Sequence, residues 1–285
     1  MKSLIIATVC LLAASSYAQQ DPAVTMFWNN YTRFNPAMAG VLYKHEGTLM
    51  ARNQWTGFSG NPTSYFAAYN AKVDPLYGGI GVNMEHTDIG LQVVNKAMLN
   101  YSFHINVGEE TVIAIGASAG VSTSKTDVSL YIFPDGGEEI SDKPSAAFNS
   151  SFGAAIKFRD LNAGVSVTNL NEPRYGNGWY NYDPVRHYYA FAEYELGISE
   201  NVALKPAGLF VTDLNVNELN VNVRGILKNK YWFGAGYRTN NALSVMVGWD
   251  IFERYRVGYT YEYWSNRIGN GSSSTHELVL GIRIK

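Results

Sequence analysis

The chain is nearly devoid of cysteine. Cys10 is the single one among 285 residues, and it falls inside an N-terminal apolar run. The rest of the chain therefore has no thiol, no disulfide staple and no cysteine-ligated metal. The bulky Val9 before Cys10 and the apolar residues after it argue against a lipoprotein reading. Charge is also scarce. Charged residues make up 16% and the formal net charge is -2, with no basic run or stripe to bind nucleic acid. Long hydrophobic runs are missing as well. Although 46% of residues are hydrophobic, no segment beyond the N-terminus stays apolar for the roughly 20 residues a spanning helix needs. The apolar residues are spent singly, in alternation. Glycine (27 against 9 proline) and tyrosine (20, with 6 tryptophan) are what the chain has in quantity.

The N-terminus reads as an export signal. Lys2 supplies the positive charge, Leu4 to Ala14 form an apolar core too short to span a bilayer, and Ser16-Tyr17-Ala18 is a small-x-small cleavage site. Cleavage after Ala18 leaves Gln19 first. An exported chain rich in Tyr and Gly and poor in charge, without spanning helices, suits an outer-membrane barrel. A secreted β-sandwich or soluble barrel is the alternative.

Period-two alternation runs through almost the whole chain. Tyr255, Val257, Tyr259, Tyr261 and Tyr263 share one face of a strand, and Arg256, Gly258, Thr260 and Glu262 the other. At the C-terminus Leu278, Leu280, Ile282 and Ile284 oppose Glu277, Val279, Gly281 and Arg283. The polar faces are rich in Gly, Ser, Asn and Arg, as a crowded lumen would be. About fourteen strands follow, at 43–55, 63–73, 78–88, 92–106, 111–123, 148–158, 161–169, 187–198, 202–212, 217–227, 231–238, 242–251, 254–264 and 275–285. Every long connection (56–62, 124–147, 170–186, 265–274) follows an odd-numbered strand, and those after even-numbered strands are short. Transmembrane barrels sort their loops by side in this way, and a soluble sandwich has no reason to. The expected fold is an all-β, transmembrane, antiparallel up-and-down barrel. Both termini and the short turns are expected in the periplasm, and the long loops outside. The last strand is expected to pair with the one containing Leu49 and Ala51.

The division is then residues 1–18 as signal, 19–41 as an irregular segment and 42–285 as barrel. Phe27, Trp28, Tyr31, Phe34, Asn35, Pro36 and Gly40 sit among turn residues in the irregular part. A fourteen-strand cylinder is wider than side chains alone can fill. The segment is expected within the lumen or at the periplasmic mouth.

No catalytic set stands out, and no cofactor or metal is expected. His45-Glu46, His86 beside Glu85, and His276-Glu277 each place neighbours on opposite faces of a strand, so these pairs cannot share a metal. Ser274 and His276 share a face, but it faces lipid. Gly78-Gly79-Ile80-Gly81 opens a strand and lacks the Lys-Ser/Thr of a phosphate loop. Inward charges of both signs (Arg52, Lys72, Glu85, Lys96, Glu193, Arg224, Arg254, Arg256, Glu262, Arg283) predict a salt-bridged lumen, with an ion or solute filter as the rival use. Aromatic residues in the long loops are candidate partner contacts: Tyr131 and Phe133 in one, Tyr175, Trp179, Tyr180 and Tyr182 in another. Packing over the mouth is the competing use.

Several motifs occur in order along the chain. Asp21-Pro22 leads to Asn35-Pro36-Ala37-Met38-Ala39-Gly40, of the form N-P-A-x-A-G. Arg52-Asn53-Gln54-Trp55-Thr56-Gly57-Phe58-Ser59-Gly60-Asn61-Pro62-Thr63 has the form R-x-Q-W-x-G-F-x-G-x-P-T. Lys205-Pro206, Trp232 to Arg238, and Val257 to Tyr263 follow. Together they resemble the PorP/SprF family of outer-membrane proteins of type IX secretion and gliding in the Bacteroidetes. The resemblance runs from about residue 20 to 285. It implies an outer-membrane barrel that anchors or assists surface display of a secreted cargo or adhesin by binding its C-terminal sorting domain. Implied partners are membrane lipid, the cargo, and periplasmic or lipoprotein components of the secretion machinery. The motifs single out Asn35, Pro36, Gly40, Arg52, Gln54, Trp55, Gly57 and Phe58 without giving them a role. A porin-like or hydrophobic-solute channel is the alternative function.

Overall fold

The computed structural model describes residues 21–57, 59–126, 144–175, 184–239, 242–265 and 274–284. The strands are β1 (His45–Asn53), β2 (Thr63–Val73), β3 (Gly78–Ile89), β4 (Gln92–Val107), β5 (Thr111–Thr126), β6 (Ser145–Phe158) and β7 (Leu161–Thr168). β8 is His187–Tyr194, interrupted at Glu195 and continued by Leu196–Ser199; both pieces pair with the next strand. The remainder are β9 (Val202–Thr212), β10 (Asn217–Leu227), β11 (Tyr231–Arg238), β12 (Ala242–Ile251), β13 (Tyr255–Trp264) and β14 (Ser274–Ile284). The sheet closes on itself as a fourteen-strand antiparallel barrel, with β14 paired to β1. The last strand pairs with the one containing Leu49 and Ala51, as expected, and the register places Leu280 opposite Leu49 and Leu278 opposite Ala51.

Closure is what a bilayer demands, since no water is present there to satisfy an open edge. The alternation sorts side chains by face. Leu278, Leu280, Ile282 and Ile284 are exposed outward, while Glu277 and Val279 are buried inward. One departure is Arg254, which precedes β13 and lies exposed in the turn. There its N–H donates to the Ile251 carbonyl. The tight turn Phe252-Glu253 absorbs the residue that alternation alone assigned to the strand. Lys72 likewise ends half-exposed at the short-turn end, paired with Asp74 at 3.2 Å.

Turns after even-numbered strands are tight. Lys228 and Asn229, and again Phe252 and Glu253, take φ values between 52° and 56°. That is the type I′ geometry whose twist matches a two-residue hairpin. The long connections gather at the opposite end.

Residues 21–42 fill the lumen as a plug of three short 3₁₀ turns, Phe27–Asn29, Tyr31–Arg33 and Pro36–Met38. The apolar core of the molecule is therefore inside the cylinder. Val24, Met26, Phe27, Trp28, Tyr31, Phe34 and Met38 pack on inward Met50, Phe66, Tyr189, Phe191, Trp232, Met246 and Val279. Phe34 stacks on Tyr189 (5.5 Å between centroids) and Tyr31 lies against Phe191 (4.7 Å), within the range in which aromatic pairs add to burial.

Closure is testable because the chain after Cys10 has no cysteine. The paired variant Leu49→Cys with Leu280→Cys is expected to oxidise across the β14–β1 seam, since directly opposed residues fall within disulfide reach. The product should migrate as a circularised chain on denaturing gels. Leu49→Cys with Val279→Cys, whose side chains face opposite ways, should not.

Candidate functional site: the plugged lumen and its rim

An irregular backbone inside a membrane barrel has no ladder to satisfy it, so each buried carbonyl and N–H needs another partner. The inward Asn, Ser, Thr and His side chains supply them. Asn220 donates to the Val24 carbonyl (3.2 Å) and Asn222 to that of Thr25 (3.3 Å). Thr48 serves Asn29 (2.9 Å), Asn83 serves Thr32 (2.9 Å), Ser166 serves Phe34 (2.7 Å) and Ser102 serves Ala37 (2.6 Å). His104 Nε2 donates to the Ala39 carbonyl at 3.0 Å. A carbonyl only accepts, so this bond assigns the proton to Nε2.

Glu277 on β14 works in the opposite sense. Its two carboxylate oxygens accept from the backbone N–H of Thr25 (3.0 Å) and Met26 (2.7 Å). Arg52 on β1 donates to Glu277 (3.1 Å) and to Glu262 on β13 (3.0 Å). Arg238 on β11 reaches Glu262 (3.3 Å) and Glu218 on β10 (3.6 Å), and the Thr25 hydroxyl bonds Glu262 and both arginines. Arg52, Glu262 and Glu277 are at most 2% exposed. This network joins the plug to both strands of the closing seam. Nearer the short turns, Asn29 accepts from Arg256 (3.0 Å) and Arg283 (3.2 Å), which are themselves paired to Asp250 and Glu46. Arg224 pairs with Glu193 and lies 3.9 Å over the Trp28 ring.

At the start of the plug, Asp21 meets Lys96 (3.3 Å) and the Tyr189 hydroxyl (3.3 Å), and Arg33 meets Glu85 (3.2 Å). Burial opposes ionisation of Asp21, but the charges of Lys96, His187 and Arg33 outweigh it and hold the carboxyl well below the usual carboxylate range. For Arg33, burial opposes the charge and Glu85 restores it, so its pKa is raised.

The motif Asn35 to Gly40 now has a geometric account. Asn35 donates to the Ala154 and Val165 carbonyls on β6 and β7 (3.1 and 3.2 Å), while its oxygen caps the Ala37 N–H (3.0 Å). It enters where Gly153 and Gly164 leave room; a Cβ on Gly153 would sit 2.2 Å from the Asn35 oxygen. Pro36 opens the third 3₁₀ turn. Gly40 has φ 69°, and a Cβ there would meet the Lys72 backbone at 2.8 Å. Ala37 and Ala39 lie where Gly116 and Gly79 lack side chains. Of the glycines that open β3, Gly79 thus makes room for the plug.

Of the second motif, Arg52 is central to the ion network. Trp55 (φ 56°) packs edge-on against Trp264 (5.6 Å), and its N–H donates to Thr275 (3.1 Å). Gln54 is tied to Pro62 (2.8 Å) and to Asn61 (2.9 Å), and Gly57 takes φ 97° at the turn. These residues build the rim at the long-loop end. Phe58, Tyr131, Phe133, Trp179, Tyr180 and Tyr182 lie outside the described residues. Tyr175 is buried against Val94 and Ala147. It roofs the mouth rather than presenting an exposed contact. His276 faces outward, bonded to Tyr259 (2.6 Å), and Ser274 pairs with Thr56. Alternation marks Glu277, Glu218 and Arg238 as inward but gives no hint that Glu277 meets Arg52 and Glu218 meets Arg238. The roles of Thr25 and Asn29 carry no sequence signal, because their partners lie about 20 to 250 residues away.

The plug leaves small gaps, about 30 Å³ beside Asp21, Phe27 and His187 and about 20 Å³ beside Thr32, Asn100 and Asn149. Each has room for about one water. A polar vestibule of about 370 Å³ opens at the short-turn end around Tyr43, Lys157 and Lys205.

The sequence model of a family described as type IX secretion system membrane protein PorP/SprF matches residues 16–282. A comparison with curated proteins finds no significant match. Among solved structures, the chain is similar to the Acinetobacter baumannii outer membrane protein Omp33 (12% identity, TM-score 0.52, covering 85% of this chain and 98% of that one). It is also similar to the Ralstonia pickettii toluene transporter TbuX (10%, 0.52, 88% and 92%) and to the CymD monoaromatic hydrocarbon channel (10%, 0.54, 88% and 90%). At such identities the likeness is one of fold, an outer-membrane barrel.

Two outcomes follow. Arg52→Met leaves Glu262 and Glu277 short of their buried cation and should destabilise the barrel by about 3–5 kcal/mol, read as a lower denaturant midpoint by tryptophan fluorescence. Because the Asp21 carboxyl is held below its ordinary value of 3.8, its contribution is fully present above that pH. It is lost as pH falls towards the lower folded value. Between about pH 4 and pH 2 the wild type should lose more stability than Asp21→Asn.

Proposed function

This chain belongs to the PorP/SprF family of type IX secretion system membrane proteins, and from that premise we propose that it is a plugged outer-membrane anchor. It holds a secreted cargo or adhesin at the cell surface through the cargo's C-terminal sorting domain. The observation that carries this reading is the locked plug. Residues 21–42 occupy the lumen, bonded to the wall at Glu277, Arg52, Asn83, Ser102, Ser166 and His104. Capture by the lumen itself is therefore left out of the mechanism. The contact falls to the long-loop rim, where Trp55, Trp264 and the roofing Tyr175 form a stiff base for the loops carrying Tyr131, Phe133, Trp179, Tyr180 and Tyr182.

The orientation follows from the same reading. Short turns and the end of β14 face the periplasm, and the long loops face outward. The expectation of a periplasmic N-terminus is not kept, because the described plug starts at Asp21 beside Lys96 and Tyr189 on the long-loop side of the lumen and runs from there towards the short turns. The periplasmic vestibule, with its inward Lys157 and Lys205, is then the face open to periplasmic or lipoprotein components of the machinery. The function is binding, not catalysis. A solute channel needs a continuous path, and gaps of about 30 and 20 Å³ around the plug speak against one.

Deleting the gene should abolish surface display of its cognate cargo, measured by surface labelling, and adding back the barrel should restore it. Replacing Trp179, Tyr180 and Tyr182 with serine should lower display without changing the heat-dependent gel shift of the closed barrel. The purified protein should give no steady conductance in planar bilayers. Unchanged display in the deletion strain would refute the anchor, and a steady open pore would favour the channel.

A further inference from the structure

The outer face of the barrel carries a feature that neither the plug nor the rim uses. Between β14 and β5 the lipid-facing surface sinks into a groove of about 660 Å³. Its floor lies where the outward residues are small: Ala51, Ala67 and Ala97. Leu49, Met84 and Val121, all about half-exposed, stand around it. The pairing register puts Leu49, Ala67, Met84, Ala97 and Val121 in one row across five strands.

The next row towards the long-loop end changes character. Tyr65, His86, Asn95 and Thr123 are aligned on β2 to β5. They form one hydrogen-bonded set. His86 Nδ1 meets the Asn95 oxygen at 2.7 Å, the Asn95 amide reaches Thr123 at 3.4 Å, and the Tyr65 ring stacks on His86 at 6.2 Å. One row further, Asp88 lies opposite Val93 and Val93 opposite Lys125. Asp88 also meets His86 Nε2 at 3.3 Å, and its carboxylate retains acceptor capacity. Gly90, in the β3–β4 turn, is two residues beyond Asp88. The polar set therefore sits at headgroup depth.

Polar and charged side chains facing lipid are costly unless something matches them. Here they are confined to one end of an apolar groove, the layout of an amphiphile. Asp88 and Lys125 present opposite charges across a single intervening residue, which complements an ammonium and a phosphate in one headgroup. We propose that this groove holds one zwitterionic phospholipid in the leaflet on the long-loop side. Its acyl chain lies over Ala51, Ala67 and Ala97, its ammonium meets Asp88 and its phosphate meets Lys125. The inference does not depend on the cargo reading.

The test uses the full-length barrel extracted from its own membrane in mild detergent, with retained lipid measured by native mass spectrometry and by extraction. The wild type should keep a phosphatidylethanolamine-type lipid. The double variant Ala67→Phe with Ala97→Phe fills the groove and should lose it by about tenfold or more. Val245→Phe, at an outward position on β12 (59% exposed), should leave it in place. Delipidated protein returned to vesicles mixing dioleoyl phosphatidylethanolamine with dioleoyl phosphatidylglycerol should recover the former selectively. Asp88→Asn should erase that selectivity while the heat-dependent gel shift is unchanged. Retention of an anionic lipid in its place, co-purification of a membrane protein on this face, no retained lipid in the wild type, or undiminished lipid in the filled variant would each overturn the proposal.

Discussion

The structure depends on hydrogen bonds from wall side chains to an irregular backbone at membrane depth. A plug without regular structure carries buried carbonyls and N–H groups that neither helix nor sheet satisfies, and in a lumen shut off from water each orphan costs on the order of 1–3 kcal/mol. Seven inward Asn, Ser, Thr and His residues meet that demand. Asn83, Asn220, Asn222, Ser102, Ser166, Thr48 and His104 each donate to a plug carbonyl. The wall glycines serve the same end by a different route, since Gly79, Gly116, Gly153 and Gly164 let the plug backbone or Asn35 approach where a Cβ would collide.

The plug and the closing seam support each other. A sheet edge in lipid has to be paired, so β14 must find β1. Inward polar side chains of both strands converge on the same plug residues: Arg52 from β1 and Glu277 from β14 at Thr25 and Met26, Thr48 from β1 and Arg283 from β14 at Asn29. Breaking one buried ion pair leaves its partner uncompensated, which is why buried networks of this kind cost several kcal/mol to disturb even where their net contribution is small. The apolar contacts of Trp28, Tyr31 and Phe34 with Trp232, Phe191 and Tyr189 bring burial to the same segment, so the plug is held by packing and by hydrogen bonds together.

Fold and function separate cleanly here. The cylinder is shared with a toluene transporter and a hydrocarbon channel at about 10% identity, and a shared cylinder does not carry a shared activity. The family match is what brings type IX secretion to this chain. The plugged lumen supports the binding role proposed for the rim, and the groove on the outer face supports the separate lipid proposal with different residues.

The alternation and the parity of loop lengths determined the strand set, the pairing of the last strand with the first, and the inward phase of Arg52, Glu262 and Glu277. These are properties of a period of two and of antiparallel hairpins, so they are local and legible. The motif residues Asn35 and Gly40 were visible as a pattern, but their use was not. Asn35 acts by reaching Ala154 and Val165, more than a hundred residues away. For Tyr175 the sequence left contact and packing both open, and its burial against Val94 and Ala147 is a contact that its neighbours along the chain do not encode. Arg254 fell out of its strand because a tight turn claimed it. Local sequence determined which residues face the lumen. Only the tertiary structure decided which of them meet, because that depends on where an aperiodic plug threads, and its partners are brought together by closure of the barrel rather than by nearness along the chain.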